Sequence, residues 1–200
     1  MAGRTRALLV AALIASVATP VLAQMGYSEG YSFLKAVRSR DGATVESLIS
    51  GPGSTVVNAR GDDGQGALHI VTRGRDITWL RYLLSHGARP DIQDNEGVTP
   101  LIIAAQIGWR EGAEALLERG ANPNLGNSQG ETPLMFAVRA YNLPMVRLLL
   151  ANRADPNQTD NVSGYSAIDY AEQDPRAAMI LQALRRPPSS GQARPPASQD

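Results

Sequence analysis

The chain has 200 residues, with 19 Lys and Arg balanced by 19 Asp and Glu, no cysteine and only two histidines. This length suits one domain, or two very small ones, with a real core, and the balanced charge argues against a surface that follows a phosphate backbone. The lack of cysteine excludes disulfides, thiolate zinc sites, iron–sulfur clusters and cysteine nucleophiles, and two histidines are too few for a histidine-rich metal site.

Residues 1–23 have the pattern of a secretory signal peptide. Arg4 and Arg6 give a positive start, and the apolar run at residues 7–17 is shorter than the roughly 20 residues that span a bilayer. Small side chains favour cleavage after Ala23, with cleavage after Ala18 as the alternative. We therefore predict an exported chain with no membrane insertion once the signal is removed. Residues 24–29 would form a short N-terminal lead, and the mature chain would carry seventeen Lys and Arg against nineteen Asp and Glu.

From residue 30 onward the chain repeats one unit. Gly64, Gly97 and Gly130 recur at equal intervals, Gly164 follows at an interval longer by one, and a leucine or isoleucine stands shortly after each. The repeat period is therefore about 33 residues. Small polar residues around each glycine predict tight turns with positive φ. Two helical stretches follow in every copy, so a single helical unit has been repeated along the chain.

The third copy shows the predicted elements most clearly. Thr99 supplies an N-cap hydroxyl and Pro100 occupies the first helical turn, so an inner helix begins there. An outer helix is predicted over residues 110–119, and Gly120 ends it in the left-handed conformation. The fourth copy repeats this scheme from Thr132, and in the last copy Asp174 is the predicted N-cap of the closing helix.

The segments Thr99-Pro100-Leu101-Ile102-Ile103-Ala104-Ala105 and Thr132-Pro133-Leu134-Met135-Phe136-Ala137 resemble the signature of ankyrin repeats. The endings Gly87-Ala88-Arg89-Pro90-Asp91 and Gly120-Ala121-Asn122-Pro123-Asn124 are also typical of that family. The resemblance implies an all-α ankyrin repeat solenoid of about five stacked helix-turn-helix units joined by β-turn or hairpin loops. Its repeats would cover about residues 30–61, 62–94, 95–127, 128–161 and 162–186. The proline-rich residues 187–200 are predicted to be a disordered tail.

Several positions depart from the family pattern. Gly66 and Ala67 replace Thr-Pro in the second copy, which predicts a less well capped inner helix, while His69 keeps a position that the family uses for capping and loop hydrogen bonds. Arg153 replaces the glycine that ends the outer helix, so it must either adopt a positive φ or end the helix differently. Two extra residues near position 52 predict a bulging loop in the first copy.

The motifs that suggest chemistry lack their structural context. The Gly-x-Ser-x-Gly at residues 26–30 has no preceding strand, so we predict a mobile N-terminal stretch there and no nucleophile elbow. The acidic residues 91–96 lack the glycine of a calcium loop. The integrin-type tripeptide Arg60-Gly61-Asp62 and the glycosylation sequons at Asn157 and Asn161 contain the residue types that tight turns favour. We therefore interpret them as turn residues. We predict no enzyme activity, no cofactor and no metal.

The surface of a repeat stack then becomes the candidate site. In the ankyrin family the turn tips and the exposed side of the inner helices form a concave strip that usually binds another protein. The turn tips would contribute Arg60, Gln93, Asn95, Glu96 and Gln129. The inner helices would contribute Arg73, Gln106 and Arg139, with Trp109 and Tyr141 at the turns between helices. Arginines and aromatic residues anchor many interfaces, although Trp109 could equally be a packed turn residue and the arginines could be merely solvated.

These observations favour a non-enzymatic protein–protein interaction scaffold, monomeric, with an unidentified protein partner and no nucleic acid. The compact signal and the lack of cysteine suit a bacterial periplasm at least as well as export from a eukaryotic cell, and we predict the periplasm. The alternative is a small-ligand-binding protein or an enzyme whose site is assembled in the groove. A deep apolar pocket with convergent titratable groups would support that alternative.

Overall fold

The computed structural model describes residues 19–51 and 54–185, with side chains from Glu29 onward. Most of the predicted signal peptide, the loop tip at residues 52–53 and the proline-rich tail lie outside these ranges. Ten α-helices occur in the described ranges: α1 Thr19–Ser39, α2 Gly42–Ile49, α3 Ala67–Arg73, α4 Ile77–Ser85, α5 Pro100–Gln106, α6 Arg110–Glu118, α7 Pro133–Arg139, α8 Leu143–Ala151, α9 Ala167–Glu172 and α10 Ala178–Arg185. Two 3-10 turns, Val56–Asn58 and Pro175–Ala177, complete the description.

The helices form two rows, as an ankyrin repeat solenoid requires. In the inner row α1, α3, α5, α7 and α9 pack side by side in chain order, and in the outer row α4, α6, α8 and α10 do the same. Apolar side chains from both rows make one continuous core that runs from Phe33 to Leu184. The described residues contain no strand, only two isolated β-bridges. The predicted all-α repeat fold is confirmed.

The inner helices begin where the capping hydroxyls predict. Thr99 Oγ1 accepts a hydrogen bond from the Ile102 amide at 3.1 Å, and Thr132 Oγ1 accepts one from the Met135 amide at 3.4 Å. These side chains satisfy amide donors that the first helical turn otherwise leaves unpaired. The outer helix of the third copy, α6, begins at Arg110 as predicted, and Gly120 has a φ of 86° after its end.

The inner helix of the second copy starts without a side-chain N-cap, as the sequence predicts. Its N-cap is Gly66, which has no side chain, but the Gly66 amide donates to His69 Nδ1 at 3.0 Å. The other ring nitrogen, Nε2, lies 2.9 Å from the Val98 carbonyl of the next copy. His69 is completely buried, and its two ring nitrogens connect the N-cap amide of this helix to the next copy. Its predicted capping role is confirmed.

The turn tips form a ladder along the stack. The glycines of the repeat all adopt the predicted positive φ, from 71° to 79° at Gly64, Gly97, Gly130 and Gly164. Each tip also donates a backbone hydrogen bond to the tip before it, from Asn95 to Asp63 at 3.2 Å, from Ser128 to Glu96 at 2.9 Å and from Asn161 to Gln129 at 2.8 Å. Successive turn tips are therefore joined by backbone hydrogen bonds as well as sharing the positive φ of their glycines.

The ends of the first and last copies differ in detail from expectation. Helix α1 begins at Thr19, so the predicted lead at residues 24–29 and the Gly-x-Ser-x-Gly segment lie inside a continuous helix instead of a mobile stretch. Asp174 caps the closing segment as predicted, but Pro175 begins a 3-10 turn before α10. Arg153 takes the positive φ that its position requires, at 68°.

Candidate protein-binding face

The face opposite the outer helices, here called the inner face, consists of the turn tips and the exposed side of the inner helices. Near the end of four successive inner helices the repeat places Arg38, Arg73, Gln106 and Arg139, all of them exposed. The last three recur at the repeat period, and the interval from Arg38 to Arg73 is longer because the first copy holds two extra residues. Four copies therefore present one long polar side chain each at the same position of the face.

Three of the predicted contact residues at the turn tips are used by the fold itself. Arg60 donates to the Gly64 carbonyl at 2.9 Å and to Asn95 Oδ1 at 3.3 Å. Asn95 Nδ2 in turn donates to the Asp62 carbonyl at 2.8 Å, and Gln93 Nε2 donates to the carbonyl of Gly97 at 3.0 Å. Because Arg60 is engaged by its own turn, the Arg60-Gly61-Asp62 segment is explained as turn structure.

Trp109 is in the core and not on the binding surface. Its side chain is 8 % exposed and belongs to the continuous apolar core. Trp109 is the N-cap residue of α6 and makes no capping hydrogen bond, whereas Asp76 and Asn142 cap the neighbouring outer helices at the equivalent position. The prediction that it contacts a partner is therefore corrected in favour of the alternative, a packed turn residue.

Tyr141 is 42 % exposed but is tied to the next copy. Its hydroxyl bonds to the Asp174 carboxylate, and the Arg176 guanidinium lies 4.7 Å from the centre of its ring. The hydrogen bond to Asp174 raises the pKa of Tyr141, and hydrogen bonds from Arg176 and then Tyr141 hold the pKa of Asp174 well below its usual range. Tyr141 therefore serves first as a clip between the fourth and fifth copies.

The same clip recurs at the start of the stack, where it was not predicted. Arg40, Arg75 and Tyr141 occupy the same turn of their copies and all have positive φ. Arg40 forms an ion pair with Asp76 of the next copy at 2.8 Å, and Arg75 donates to the Ile107 carbonyl. The recurrence of a long side chain at this turn was the signal that could have identified these clips.

Arg139 is also held by neighbouring groups. Its Nη1 lies 2.7 Å from the Glu131 carboxylate. The guanidinium lies 4.7 Å from the ring centre of Phe136 and 5.5 Å from that of Tyr170. Arg139 is exposed, but an acid and two aromatic rings already satisfy its charge.

The remaining predicted residues keep their polar groups available. Within the described ranges, the side chains of Arg73, Glu96, Gln106 and Gln129 form no hydrogen bond or ion pair, and all four are exposed. Arg38 behaves in the same way and was not among the predicted contacts. It was missed because the two extra residues of the first copy move it off the repeat period. The inner face thus offers two unpaired arginines at its N-terminal end.

A groove of about 440 Å³ lies beside Arg38, between α1 and the first turn tip. Tyr31, Arg38 and Arg60 line it together with the small residues Gly30, Ala59 and Gly61 and the acidic pair Asp62 and Asp63. Tyr31 is 63 % exposed, the most open aromatic side chain on this face of the described chain. Tyr31 was not selected from the sequence, although it lies at the start of the first predicted repeat.

Sites of other kinds are not visible in the described ranges. No group of three or more histidine or acidic side chains is arranged there to hold a metal ion. The helices described are also too short or too polar to cross a bilayer. A second groove, of about 320 Å³, lies between Arg139, Tyr141 and Tyr170 near the C-terminal end of the face.

Two ankyrin repeat family models match the chain. The model described as ankyrin repeats in three copies matches residues 33–127, and the model described as ankyrin repeats in many copies matches residues 116–171. Together they extend from the first copy into the fifth.

Curated proteins match over shorter stretches. A segment of 85 residues, 40 % of this chain, is 31 % identical to oxysterol-binding protein homolog 1 of Saccharomyces cerevisiae and covers 7 % of that protein. A segment of 56 residues, 28 % of this chain, is 41 % identical to the human SH3 and multiple ankyrin repeat domains protein 2 and covers 3 % of it. The chain thus matches only a small part of either relative. The two-row helical stack, the turn ladder and the family matches together show that the chain belongs to the ankyrin repeat family, whose repeats are typically protein–protein interaction modules without enzymatic activity.

Proposed function

We propose that this chain is an exported scaffold that binds a partner protein through its inner face. The observation that supports this most is the contrast between residues of the same face. Arg60, Arg139 and Tyr141 are engaged by contacts within the stack, whereas Arg38 and Arg73 project with no partner in the described chain. Exposed, unpaired groups on a rigid repeat surface are the residues that a partner can engage.

The partner-binding test uses two matched pairs of arginines. Arg38 and Arg73 lie on the inner face, while Arg81 and Arg147 are exposed on the outer helices α4 and α8 and form no bond in the described chain. Replacing either pair by alanine removes the same charge. Trp109 is not used because its loss would disturb the core.

Affinity capture from the native exported fraction compares the parent, the Arg38→Ala/Arg73→Ala variant and the Arg81→Ala/Arg147→Ala variant, all with matched melting temperatures. We expect one protein to be retained by the parent and by the outer-helix variant and to be lost from the inner-face variant. Equal retention by all three would reject the inner face. If no protein is retained by any of them, the scaffold function itself is rejected.

Export is tested separately. Cleavage after Ala23 would remove the first residues of α1 and leave a helix that begins at Gln24. Intact mass measurement of the protein from the exported fraction should give a chain that starts at Gln24, or at Thr19 if the alternative site is used. An uncleaved chain found only with cytoplasmic protein would contradict export to the periplasm.

The geometry gives little support to a small-ligand-binding or enzymatic function. The groove beside Arg38, at about 440 Å³, is within the size range of ligand pockets. However, its lining is mostly polar turn and small residues, and no side chain in it is placed beside a second group as a nucleophile beside a base would be. We therefore take protein binding as the function.

A further inference from the structure

The N-terminal end of the inner face carries two arginines that lack the acid found beside their counterpart. In the second and fourth copies, the residue eight positions before the arginine lies just before the N-cap of the inner helix. In the fourth copy that residue is Glu131, which pairs with Arg139 at 2.7 Å. In the second copy it is Gln65, which cannot neutralise Arg73. In the first copy Gly30 stands eight positions before Arg38, but it lies inside α1, about two helical turns away, so Arg38 has no counterpart of Glu131.

A groove lies at the same end of the face as these unpaired arginines. Gly30 lines the 440 Å³ groove together with Tyr31 and Arg38. Lys35 is exposed on the same helix, between Tyr31 and Arg38 at helical spacing, and adds a third positive charge. The groove has the unpaired Arg38 and the exposed ring of Tyr31 in its lining, and Lys35 and Arg73 lie on the neighbouring surface of α1 and α3. This arrangement suits a negatively charged segment with an apolar anchor.

We propose that this groove, and the neighbouring surface of α3, binds an extended acidic segment of a partner protein. The acidic side chains pair with Arg38 and Arg73, and an apolar side chain lies against Tyr31. This proposal rests on the protein-binding function proposed above and specifies the chemistry of the partner.

The spacing of the two arginines sets the form of the segment. Helices α1 and α3 pack side by side, at about 8–10 Å between axes as packed helices generally do. An extended chain rises about 3.3 Å per residue, so two acidic residues about three positions apart can reach both arginines. Asp62 and Asp63 lie on the turn-tip wall of the groove, so the acidic side of the segment must face the helices.

The structure supplies a variant that tests the pairing without removing an arginine. Gln65→Glu places an acid at the position that Glu131 occupies relative to Arg139, so Arg73 gains an internal partner. Gln65 is only partly exposed, and its side chain makes no bond in the described chain, so the fold has no reason to change. The reverse change, Glu131→Gln, frees Arg139 at the other end of the face and is the matched control.

The experiment selects random 12-residue peptides displayed on phage against five immobilised proteins. These are the parent, Arg38→Ala/Arg73→Ala, Gln65→Glu, Glu131→Gln and the outer-helix variant Arg81→Ala/Arg147→Ala, each checked for the parent's melting temperature. We expect peptides retained by the parent to be enriched at least twofold in Asp and Glu next to an aromatic or aliphatic residue. The affinity of a selected peptide, measured by fluorescence polarisation, should fall about fivefold or more in the double arginine variant and in Gln65→Glu.

The Glu131→Gln and outer-helix variants should bind the same peptides within twofold of the parent. A selection that returns no acidic sequences, or acidic peptides that bind Gln65→Glu and the double arginine variant as well as the parent, would overturn the proposal. A phosphoserine version of a selected peptide is tested in parallel. If only this version, and not the Asp- or Glu-containing peptide, loses affinity in the double arginine variant, the proposal is overturned in favour of a phosphorylated partner. If the captured partner still depends on Arg38 and Arg73 in any of these cases, the scaffold function stands and only the acidic segment is rejected.

Discussion

The indole ring of Trp109 occupies the space that a side chain at position 112 would fill. A Cβ placed on Gly112 would lie 2.1 Å from Trp109 Cε3. The equivalent positions in the neighbouring outer helices hold Trp79 and Met145, and these helices are capped by Asp76 and Asn142. At the N-cap and three residues after it, the neighbouring copies therefore have a polar cap and a large side chain, whereas the third copy has a tryptophan and a glycine.

This exchange predicts strong coupling between the two positions. Gly112→Met alone should destabilise the fold by about 3 kcal/mol, because the ring blocks the new side chain. Trp109→Asn alone should cost about 2–4 kcal/mol, because loss of the buried ring outweighs the restored cap. The double variant recreates the scheme of the fourth copy and should be more stable than Gly112→Met alone. Urea unfolding of all four proteins measures this, and simple additivity of the two changes would contradict the packing of the ring against Gly112.

Two glycines of the turn ladder should respond differently to alanine. Gly97 and Gly164 have nearly equal positive φ, 74° and 71°. A Cβ at Gly97 would lie 2.7 Å from the Ser128 amide nitrogen of the next tip, whereas a Cβ at Gly164 meets nothing within 4 Å. Gly164→Ala should therefore cost about 1 kcal/mol for backbone strain, and Gly97→Ala about 2 kcal/mol or more beyond that. Thermal and urea unfolding measure both, and equal losses would show that tip contacts add nothing.

Thr72 predicts a stabilising substitution. Its side chain is completely buried, and its hydroxyl has no hydrogen-bond partner in the described chain. The equivalent residues of the next two copies are Ala105 and Val138, both apolar. Thr72→Val keeps the shape and removes the unpaired hydroxyl, so it should stabilise the fold by about 1 kcal/mol. The control Thr132→Val removes a capping hydroxyl and should destabilise by a similar amount. A destabilised Thr72→Val would mean that the hydroxyl has a partner in solution.

His69 predicts a loss of stability at mildly acidic pH. Burial lowers its pKa from the ordinary value of 6.5, against the opposing effects of the Val98 carbonyl and Asp94. Below pH 6.5 the unfolded chain therefore binds a proton that the folded chain does not, and stability falls as pH decreases.

Two histidine variants separate the contribution of His69 to the pH dependence of stability from the contributions of other titrating groups. His69→Gln retains an acceptor for the Gly66 amide without a titrating ring, so its free energy of unfolding should vary less between pH 7 and pH 5.5. His86→Gln changes an exposed histidine and should keep the parent's pH dependence. If both variants follow the parent, the pH dependence does not come from His69.

The repeat period and the capping residues were sufficient to predict the helices from the sequence. Thr99, Thr132 and Gly120 act locally, on amides and φ angles within their own turn, so their positions carry the information. The start of α1 at Thr19 was missed because the preceding segment was assigned to a signal peptide. The capping by His69 was recognised as a role of the family, but its contact with Val98 of the next copy was not predicted.

The candidate site was predicted less completely, for a physical reason. The period shows which side chains share the inner face, but it does not show which of them reach a group on the next copy. Arg60, Tyr141 and Arg139 were predicted to face a partner, and each is satisfied inside the stack. Trp109 was misplaced because a large aromatic at a capping position can fold inward when the residue three places later is glycine.

Hydrogen–deuterium exchange of the chain with and without its captured partner shows directly whether the inner face binds. Binding there predicts slower exchange at the turn tips, residues 60–65 and 93–98, and near the ends of α1 and α3, with no change in the outer helices α4 and α8. Slower exchange confined to the outer helices would contradict it, because the partner would then bind the opposite side of the stack.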